Sequence, residues 1–171
     1  MILGMSTATY TFLHVLISLI GIGSGLVVVY GFLTGRRFDR ITALFLVTTV
    51  LTSVTGFGFP FEHLLPSHKV GIISLIVLAI AILARYVFHL NHAWRWVYVV
   101  TASTALYLNV FVLVVQLFRK VPALTAVAPT QTEPPFLVVQ IIVLAIYIAL
   151  TVLGVKKFHV AQQELPKLKA A

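Results

Sequence analysis

The sequence has no cysteine and very few charged residues. Without a thiol, the chain forms no disulfide, thiolate metal site, iron–sulfur cluster or cysteine nucleophile. Charged residues make up 9% of its 171 positions, whereas soluble domains carry about 25%. Such a chain lacks the polar side chains that a water-facing surface needs. We therefore expect lipid to solvate most of it.

Acidic side chains are the scarcest charged groups, because only Asp39, Glu62, Glu133 and Glu164 are present. A transporter driven by carboxylates is expected to hold one within a membrane span, and most of these four fall in loops or the tail. The HExxH, P-loop and GxSxG motifs are also absent. The sequence therefore favours a non-catalytic role over an enzyme.

Long apolar runs fill the chain instead, with 60% hydrophobic residues and a mean hydropathy of +1.08. A spanning helix needs roughly 20 apolar residues, and the runs predict five spans. Their approximate ranges are 9–33, 41–59, 70–88, 94–118 and 136–155. In lipid, a helix satisfies its own backbone polar groups. We expect an all-α, five-helix transmembrane bundle that forms one domain over residues 1–171.

Basic residues are divided unevenly between the two predicted membrane faces. Lys69, Arg119 and Lys120 lie on one face, and the other nine of the twelve Lys and Arg residues lie on the opposite face. The positive-inside rule then predicts an external N-terminus and a cytoplasmic C-terminus. The external connection 119–135 contains four prolines, which disfavour a helix, so we expect an extended or turning course.

Small and polar residues indicate which helix faces pack together. In the first span, His14, Ser18, Gly21 and Gly25 recur at helical spacing on one face. Gly21 with Gly25, and Gly31 with Gly35, form small-xxx-small pairs that favour close helix contacts. The threonine hydroxyls of the second span are expected to bond back to their own helix. Asn109 lies near the predicted midplane and is expected to bond to a neighbouring helix.

Several polar side chains from different spans share one predicted depth, in the outer half of the membrane. His14 follows the external start of the first span, and Gln116 and Gln140 lie near the external ends of the fourth and fifth spans. Glu62, His63 and His68 lie at the external connection before the third span. We expect these residues to form one polar site.

Three interpretations of this site remain open. In the first, the polar side chains only join helices through hydrogen bonds. In the second, His14 and His68 clamp a b-type haem axially, with Lys69 or Arg119 as a propionate partner. In the third, the site binds a transition metal or relays protons. The ligands of the third interpretation would be His14, Glu62, His63 and His68.

A second set of polar residues lies at the predicted cytoplasmic edge. Its members are Arg85, His89, His92, Arg95 and His159. Trp, His and Arg are common anchors at membrane interfaces, so anchoring is the favoured interpretation here. The formal net charge of +8 fits this membrane-edge pattern, and we expect no nucleic-acid partner. The expected partners are the lipid bilayer and other membrane subunits or further copies of the chain.

Three segments carry a resemblance to known proteins: TTVLTSVTGFGFPF, LPSHKVGIISL and APTQTEPPF. They resemble segments of small multi-pass membrane proteins of bacteria that have no assigned activity. The resemblance implies a multi-pass protein of the bacterial cytoplasmic (inner) membrane. It brings no activity, cofactor or ligand residue with it.

Overall fold

The chain folds into α-helices joined by short connections. The computed structural model describes residue 2 and the ranges 4–59 and 66–169. The helices are α1 (Thr7–Thr34), α2 (Asp39–Gly56), α3 (Pro66–Ile82), α4 (Trp94–Lys120), α5 (Pro122–Val127) and α6 (Pro134–Lys169). A π-helical turn, Leu83–Val87, extends α3. Across these described ranges there is no β-strand beyond an isolated bridge. The all-α prediction is confirmed.

Four of these helices are long and apolar enough to cross a membrane. The four segments are Thr7–Thr34, His68–Val87, Trp94–Lys120 and Pro134–Phe158. They confirm the prediction of a multi-pass membrane protein. The helix α2 is not among them, since its 18 residues begin with Asp39 and include several hydroxyl side chains. The fifth span stays a prediction.

Consecutive long helices run antiparallel, so each end of the bundle collects residues that are distant in sequence. At one end, His14 of α1 bonds to Thr55 near the end of α2. At the other end, Arg85 beyond α3 pairs with Asp39 at the start of α2. We call these the His14 end and the Arg85 end of the bundle.

The glycine face of α1 packs closely against two neighbouring helices, as the sequence predicted. A Cβ added at Gly25 would lie 2.6 Å from Leu106 Cδ1 on α4 and 2.8 Å from Phe45 Cε2 on α2. Leu106 and Phe45 are buried, so neither is free to move into solvent. Glycine at position 25 therefore lets α1 sit against both neighbours. The predicted packing role of the Gly21 and Gly25 face is confirmed.

The second glycine pair includes the residue that ends the first helix. Gly35 adopts a left-handed conformation with φ 69° and ends α1. Its N–H donates to the carbonyl of Gly31, which also accepts from Arg36 N at 3.0 Å. Gly35 therefore acts as a helix C-cap, where a positive φ favours glycine. A helix contact through the Gly31 and Gly35 pair stays a prediction.

The connection 119–135 is partly helical, which corrects the expectation of an extended course. The short helix α5 begins at Pro122, and α6 begins at Pro134. Proline is well accommodated in the first helical turn, because the N–H that it lacks has no partner there. The side chain of Thr125 donates to the carbonyl of Phe118 at 2.8 Å. This bond folds α5 back on the end of α4.

Candidate functional site

The His14 side chain connects α1 to the end of α2. Its Nδ1 lies 2.8 Å from the Thr55 hydroxyl, and its ring meets Phe59 edge-on with centroids 5.3 Å apart. The imidazole is partly buried. The structure therefore gives His14 a partner on a neighbouring helix, as any of the three interpretations requires.

The hydrogen bonds of Thr55 favour the tautomer of His14 in which Nδ1 carries the proton. The Thr55 hydroxyl donates to the carbonyl of Leu51 at 2.7 Å, so its single hydrogen is already used. Its oxygen must then accept from His14, which places the imidazole hydrogen on Nδ1. In the neutral ring, Nε2 then keeps a lone pair. That nitrogen is then able to bind a metal or accept a hydrogen bond.

Tyr10 holds the same corner of the bundle from one turn earlier in α1. Its hydroxyl donates to the backbone carbonyl of Thr55 at 2.8 Å, so one residue of α2 receives two side chains of α1. The Tyr10 ring meets Phe59 at a centroid distance of 5.1 Å. The start of α1 is therefore fixed against the end of α2 by polar and aromatic contacts.

His68 lies within the first turn of α3, where the sequence predicted a position capping the helix start. Its side chain is only 4% exposed. Its ring stacks on Phe57 with centroids 5.5 Å apart and planes inclined by 28°. Both His14 and His68 thus contact the segment that follows α2, from different helices.

The proposed metal ligands Glu62 and His63 lie outside the described residues. Within the part of the chain that the structure describes, no three His, Cys, Asp or Glu side chains come together. The prediction of a metal site that includes Glu62 and His63 therefore stays a prediction.

Asn109 bonds to a neighbouring helix, as the sequence predicted. The Ser18 hydroxyl of α1 donates to Asn109 Oδ1 of α4 at 3.1 Å. The Asn109 amide lies against Gly21, where an added Cβ would be 3.3 Å from Nδ2 and from the Thr49 hydroxyl. Asn109 Nδ2 and the Thr49 hydroxyl are buried without a hydrogen-bond partner among the described residues. The three helices α1, α2 and α4 therefore meet at a polar contact.

Two further side-chain hydrogen bonds join helices in the same half of the bundle. Gln140 Nε2 of α6 donates to the carbonyl of Phe111 of α4 at 3.3 Å. The Ser53 hydroxyl of α2 donates to Ser74 of α3 at 3.1 Å. Gln116 is partly buried near the end of α4. The hydroxyls of α2 also bond back to their own helix, as expected, with Thr52 donating to the carbonyl of Thr48 at 2.9 Å. Polar contacts thus connect α1 to α2, α1 to α4, α2 to α3, and α4 to α6.

A second polar centre lies at the Arg85 end. The Arg85 side chain is 9% exposed and pairs with Asp39. Its guanidinium lies over the rings of Tyr86, at 5.6 Å from the centroid, and Tyr98, at 5.3 Å. The sequence placed Arg85 at the membrane edge as an anchor and gave Tyr98 no role. An arginine inside an apolar run, followed by a tyrosine near the start of the next helix, is the sequence signal that could have indicated this contact.

The histidines at this end do not continue a helical face. The π-helical turn ends at Val87, and His89 and His92 adopt left-handed conformations with φ 48° and 45°. Phe88 stacks on Trp94 with centroids 3.8 Å apart. The Arg95 Nε donates to the carbonyl of Leu90 at 3.0 Å. The segment is a tight turn, which fits the anchoring interpretation of the tryptophan and arginine side chains. The side chain of His159 lies outside the described part.

A cleft of about 190 Å³ between α4 and α6 was not predicted from the sequence. Its polar lining comes from Ser103, Thr104, Tyr107, Tyr147 and Thr151. The rings of Tyr107 and Tyr147 lie 5.8 Å apart. The cleft lies on the faces of α4 and α6 that hold the tyrosines, and His14 does not line it.

Comparison with known proteins does not assign this chain to a family. It matches no family model, no curated protein and no solved structure. The function must therefore be inferred from the side chains and their contacts.

Proposed function

We propose that this protein is a non-catalytic binding or accessory component of the bacterial inner membrane, with a binding group at the His14 end. The observation that carries this proposal is the hydrogen bond between His14 Nδ1 and Thr55. It orients the imidazole and leaves the Nε2 lone pair for a ligand. Tyr10, which also bonds to Thr55, holds the two helices that position the ring. A rigid, oriented acceptor of this kind suits the binding of a ligand.

The proposal includes five spans, with α2 as the fifth. Supporting this, α2 runs antiparallel between α1 and α3 and contacts both at the His14 end. Its threonine hydroxyls donate to backbone carbonyls one turn earlier, such as Thr48 to Leu44 at 2.7 Å. When a hydroxyl bonds to its own helix, the free-energy cost of placing that hydroxyl in lipid is lower. Five spans put the nine basic residues of the Arg85 end and the tail in the cytoplasm.

Reporter fusions test this topology. Fusions after Arg40 and after Lys157 are expected to report a cytoplasmic location, and one within residues 123–132 an external location. An external result after Lys157 would contradict the five-span arrangement. It would instead fit four spans, with α2 not crossing the membrane.

The ligand class follows from the chemistry of a neutral imidazole. A bare Nε2 binds a transition-metal ion or accepts a hydrogen bond from a ligand donor. Metal-ligating histidines commonly donate their other N–H to a neighbouring group, which fixes the ring. The Thr55 hydroxyl has this position relative to His14. We infer that Thr55 is the orienting partner of a binding histidine.

Binding of Zn²⁺ by the purified protein tests this assignment. His14→Gln is expected to abolish binding at the site, while its amide still bonds to Thr55 and keeps the fold. Thr55→Val keeps the shape but removes the orienting oxygen, and is expected to weaken Zn²⁺ binding about 10–100-fold. The matched control is Ser18→Ala, one turn away on the same face, which is expected to leave the affinity unchanged. Equal binding by His14→Gln and the unmodified protein would contradict the proposal.

A b-type haem is the second candidate for this site. His14 and His68 come from different helices, and both contact the segment that follows α2. Two such imidazoles are the ligand set of a bis-histidine haem, with Lys69 or Arg119 as a propionate partner. A reduced-minus-oxidised absorption spectrum of the purified protein tests it. A sharp b-type band that is lost in both His14→Gln and His68→Gln supports haem, and a spectrum without such a band excludes it.

A further inference from the structure

The Arg85 end of the bundle has a small cavity at its surface. Its enclosed volume is about 10 Å³, which is room for one water-sized group. Its polar lining consists of Arg36, Arg37, Thr42, Arg85 and Tyr98. Arg36 and Arg37 lie in the connection between α1 and α2 and are exposed, so they stand at the mouth. Arg85 and Tyr98 form the interior.

Two buried polar atoms in this lining, the Tyr98 hydroxyl and Arg85 Nε, make no hydrogen bond of normal geometry within the described ranges. The Tyr98 side chain is 0% exposed. Its hydroxyl faces Thr42 and Arg85. Buried polar groups are almost always paired in folded proteins. An arginine N–H only donates, and a tyrosine hydroxyl both donates and accepts, so one added acceptor would satisfy both atoms.

The charge at this cavity is strongly positive. Three guanidiniums line it, those of Arg36, Arg37 and Arg85. The carboxylate that Arg85 contacts is Asp39, and its side chain is 76% exposed. Partial burial and the like charge of Arg85 lower the pKa of the Arg37 guanidinium from its ordinary value. A bound anion would relieve this repulsion.

We propose that this arginine-lined cavity binds a phosphate group. One phosphate oxygen enters the cavity and accepts from Arg85 Nε and the Tyr98 hydroxyl, and the other oxygens meet Arg36 and Arg37 at the mouth. Arginine forks match the geometry of phosphate oxygens. The site is distinct from the one at the His14 end and does not depend on it.

The size of the cavity indicates the source of the phosphate. Pockets that enclose a whole small molecule measure about 300–1,000 Å³, far more than this one. A lipid brings its acyl chains to the bilayer beside the helices, so the protein has only to receive the headgroup phosphate. Basic pockets between transmembrane helices at the cytoplasmic face bind anionic lipid headgroups in this way. The same site would also admit inorganic phosphate, and the experiment below separates the two.

Thermal unfolding of the purified full-length protein in a neutral detergent tests the proposal. Three probes are added separately: phosphatidylglycerol, diacylglycerol as its phosphate-free counterpart, and inorganic phosphate against sodium chloride of equal ionic strength. Phosphatidylglycerol at a hundredfold excess over Kd is expected to raise Tm by about 5–10 °C, and diacylglycerol is expected to have no effect. An equal rise with inorganic phosphate would assign the site to free phosphate. Equal rises with diacylglycerol and phosphatidylglycerol, or no rise with either phosphate source, would overturn the proposal.

Variants at the mouth supply matched controls. Arg36→Gln and Arg37→Gln alter exposed side chains, so the fold is expected to persist while the lipid-dependent rise falls by more than half. Arg40→Gln and Lys156→Gln remove exposed charges that do not line the cavity, and are expected to keep the rise. Equal losses in both pairs would show general attraction between charges and overturn the site.

Tyr98→Phe separates a ligand contact from a structural role. The substitution removes only the hydroxyl, which has no partner among the described residues. Without lipid, Tm is expected to stay the same or increase, since a buried unpaired group is removed. With phosphatidylglycerol, the rise in Tm is expected to be smaller than in the unmodified protein. A full rise in Tyr98→Phe would contradict the proposed role of the hydroxyl.

Discussion

The Tyr10 hydroxyl occupies the space that a side chain on Gly58 would need. A Cβ added at Gly58 would lie 2.1 Å from the Tyr10 oxygen. The same hydroxyl donates to the carbonyl of Thr55, so it cannot move away without losing that bond. The absence of a side chain at position 58 is therefore a condition for the contact between α1 and the end of α2.

Gly58→Ala is expected to destabilise the protein by about 1–3 kcal/mol, because it forces the Tyr10 ring away from Thr55. The control is Gly56→Ala, where the nearest atom to the added Cβ is His14 Cε1 at 3.9 Å. Combining Gly58→Ala with Tyr10→Phe removes the closest clash and is expected to recover part of the loss. Unfolding in detergent, followed by circular dichroism, measures all three. Equal stabilities of the two alanine variants would refute the steric explanation.

Gly25→Ala is expected to lower the free energy of unfolding by about 1–3 kcal/mol, since the new Cβ meets buried side chains of two helices. Gly23, half a turn away, has nothing within 4 Å of an added Cβ. Gly23→Ala is therefore expected to be neutral or slightly stabilising, because alanine favours the helix by up to about 1 kcal/mol. The same unfolding assay compares the pair. A larger loss of stability in Gly23→Ala than in Gly25→Ala would mean that α1 is rotated about its axis relative to the arrangement described here.

The hydrogen bond between Ser18 and Asn109 is expected to contribute a coupling energy of about 0.6 kcal/mol and no more than about 1.7, as in other membrane helices. A double-mutant cycle with Ser18→Ala and Asn109→Ala measures it. The value is expected to be small although both groups lie inside the bundle. Additive effects of the two substitutions would indicate that the bond contributes nothing to stability.

The Glu133 carboxylate is expected to titrate below its ordinary range. It loses some hydration, but it accepts hydrogen bonds from Thr130 N, the Thr130 hydroxyl and Thr132 N at 3.1, 2.8 and 3.0 Å, and these lower its pKa. A depressed pKa in the folded state stabilises this turn above the unfolded pKa, and the contribution is lost as pH falls through the folded value. A carboxyl chemical-shift titration by NMR measures the pKa directly. Thr130→Val removes one donor and is expected to raise the pKa, whereas an unchanged value would exclude the hydroxyl as a cause.

The sequence predicted the helices well where apolar composition alone decides the structure. Most of the long helices start within a few residues of the positions that the apolar runs predicted. In lipid the backbone polar groups must bond to one another, and a helix achieves this within one segment. The glycine face of α1 was likewise predicted, since close approach of helices requires small residues at helical spacing. Asn109 followed from the same physics, because an unpaired amide in lipid is costly.

The sequence was less informative where a residue has two uses and only the tertiary structure decides between them. Gly35 fits a helix contact by its spacing, and its left-handed conformation also makes it a C-cap. Pro122 disfavours a helix interior, yet it begins α5. Thr55 bonds back to its own helix as expected, but its second bond, to His14, could be found only when α1 and α2 were placed side by side. Polar pairs between helices depend on rotation about the helix axes, which a single sequence does not determine.

The π-helical turn Leu83–Val87 closes the third helix with a wider ring than an α-helical turn. Its last hydrogen bond runs from the Phe88 N–H to the carbonyl of Leu83, five residues earlier. Phe88 therefore lies at the helix end, where its ring stacks on Trp94. Removing one residue from this turn would shift the start of the chain reversal by about 100° around the helix axis. The length of this segment is therefore as constrained as its composition, and a one-residue deletion here should disturb the bundle more than most substitutions in it.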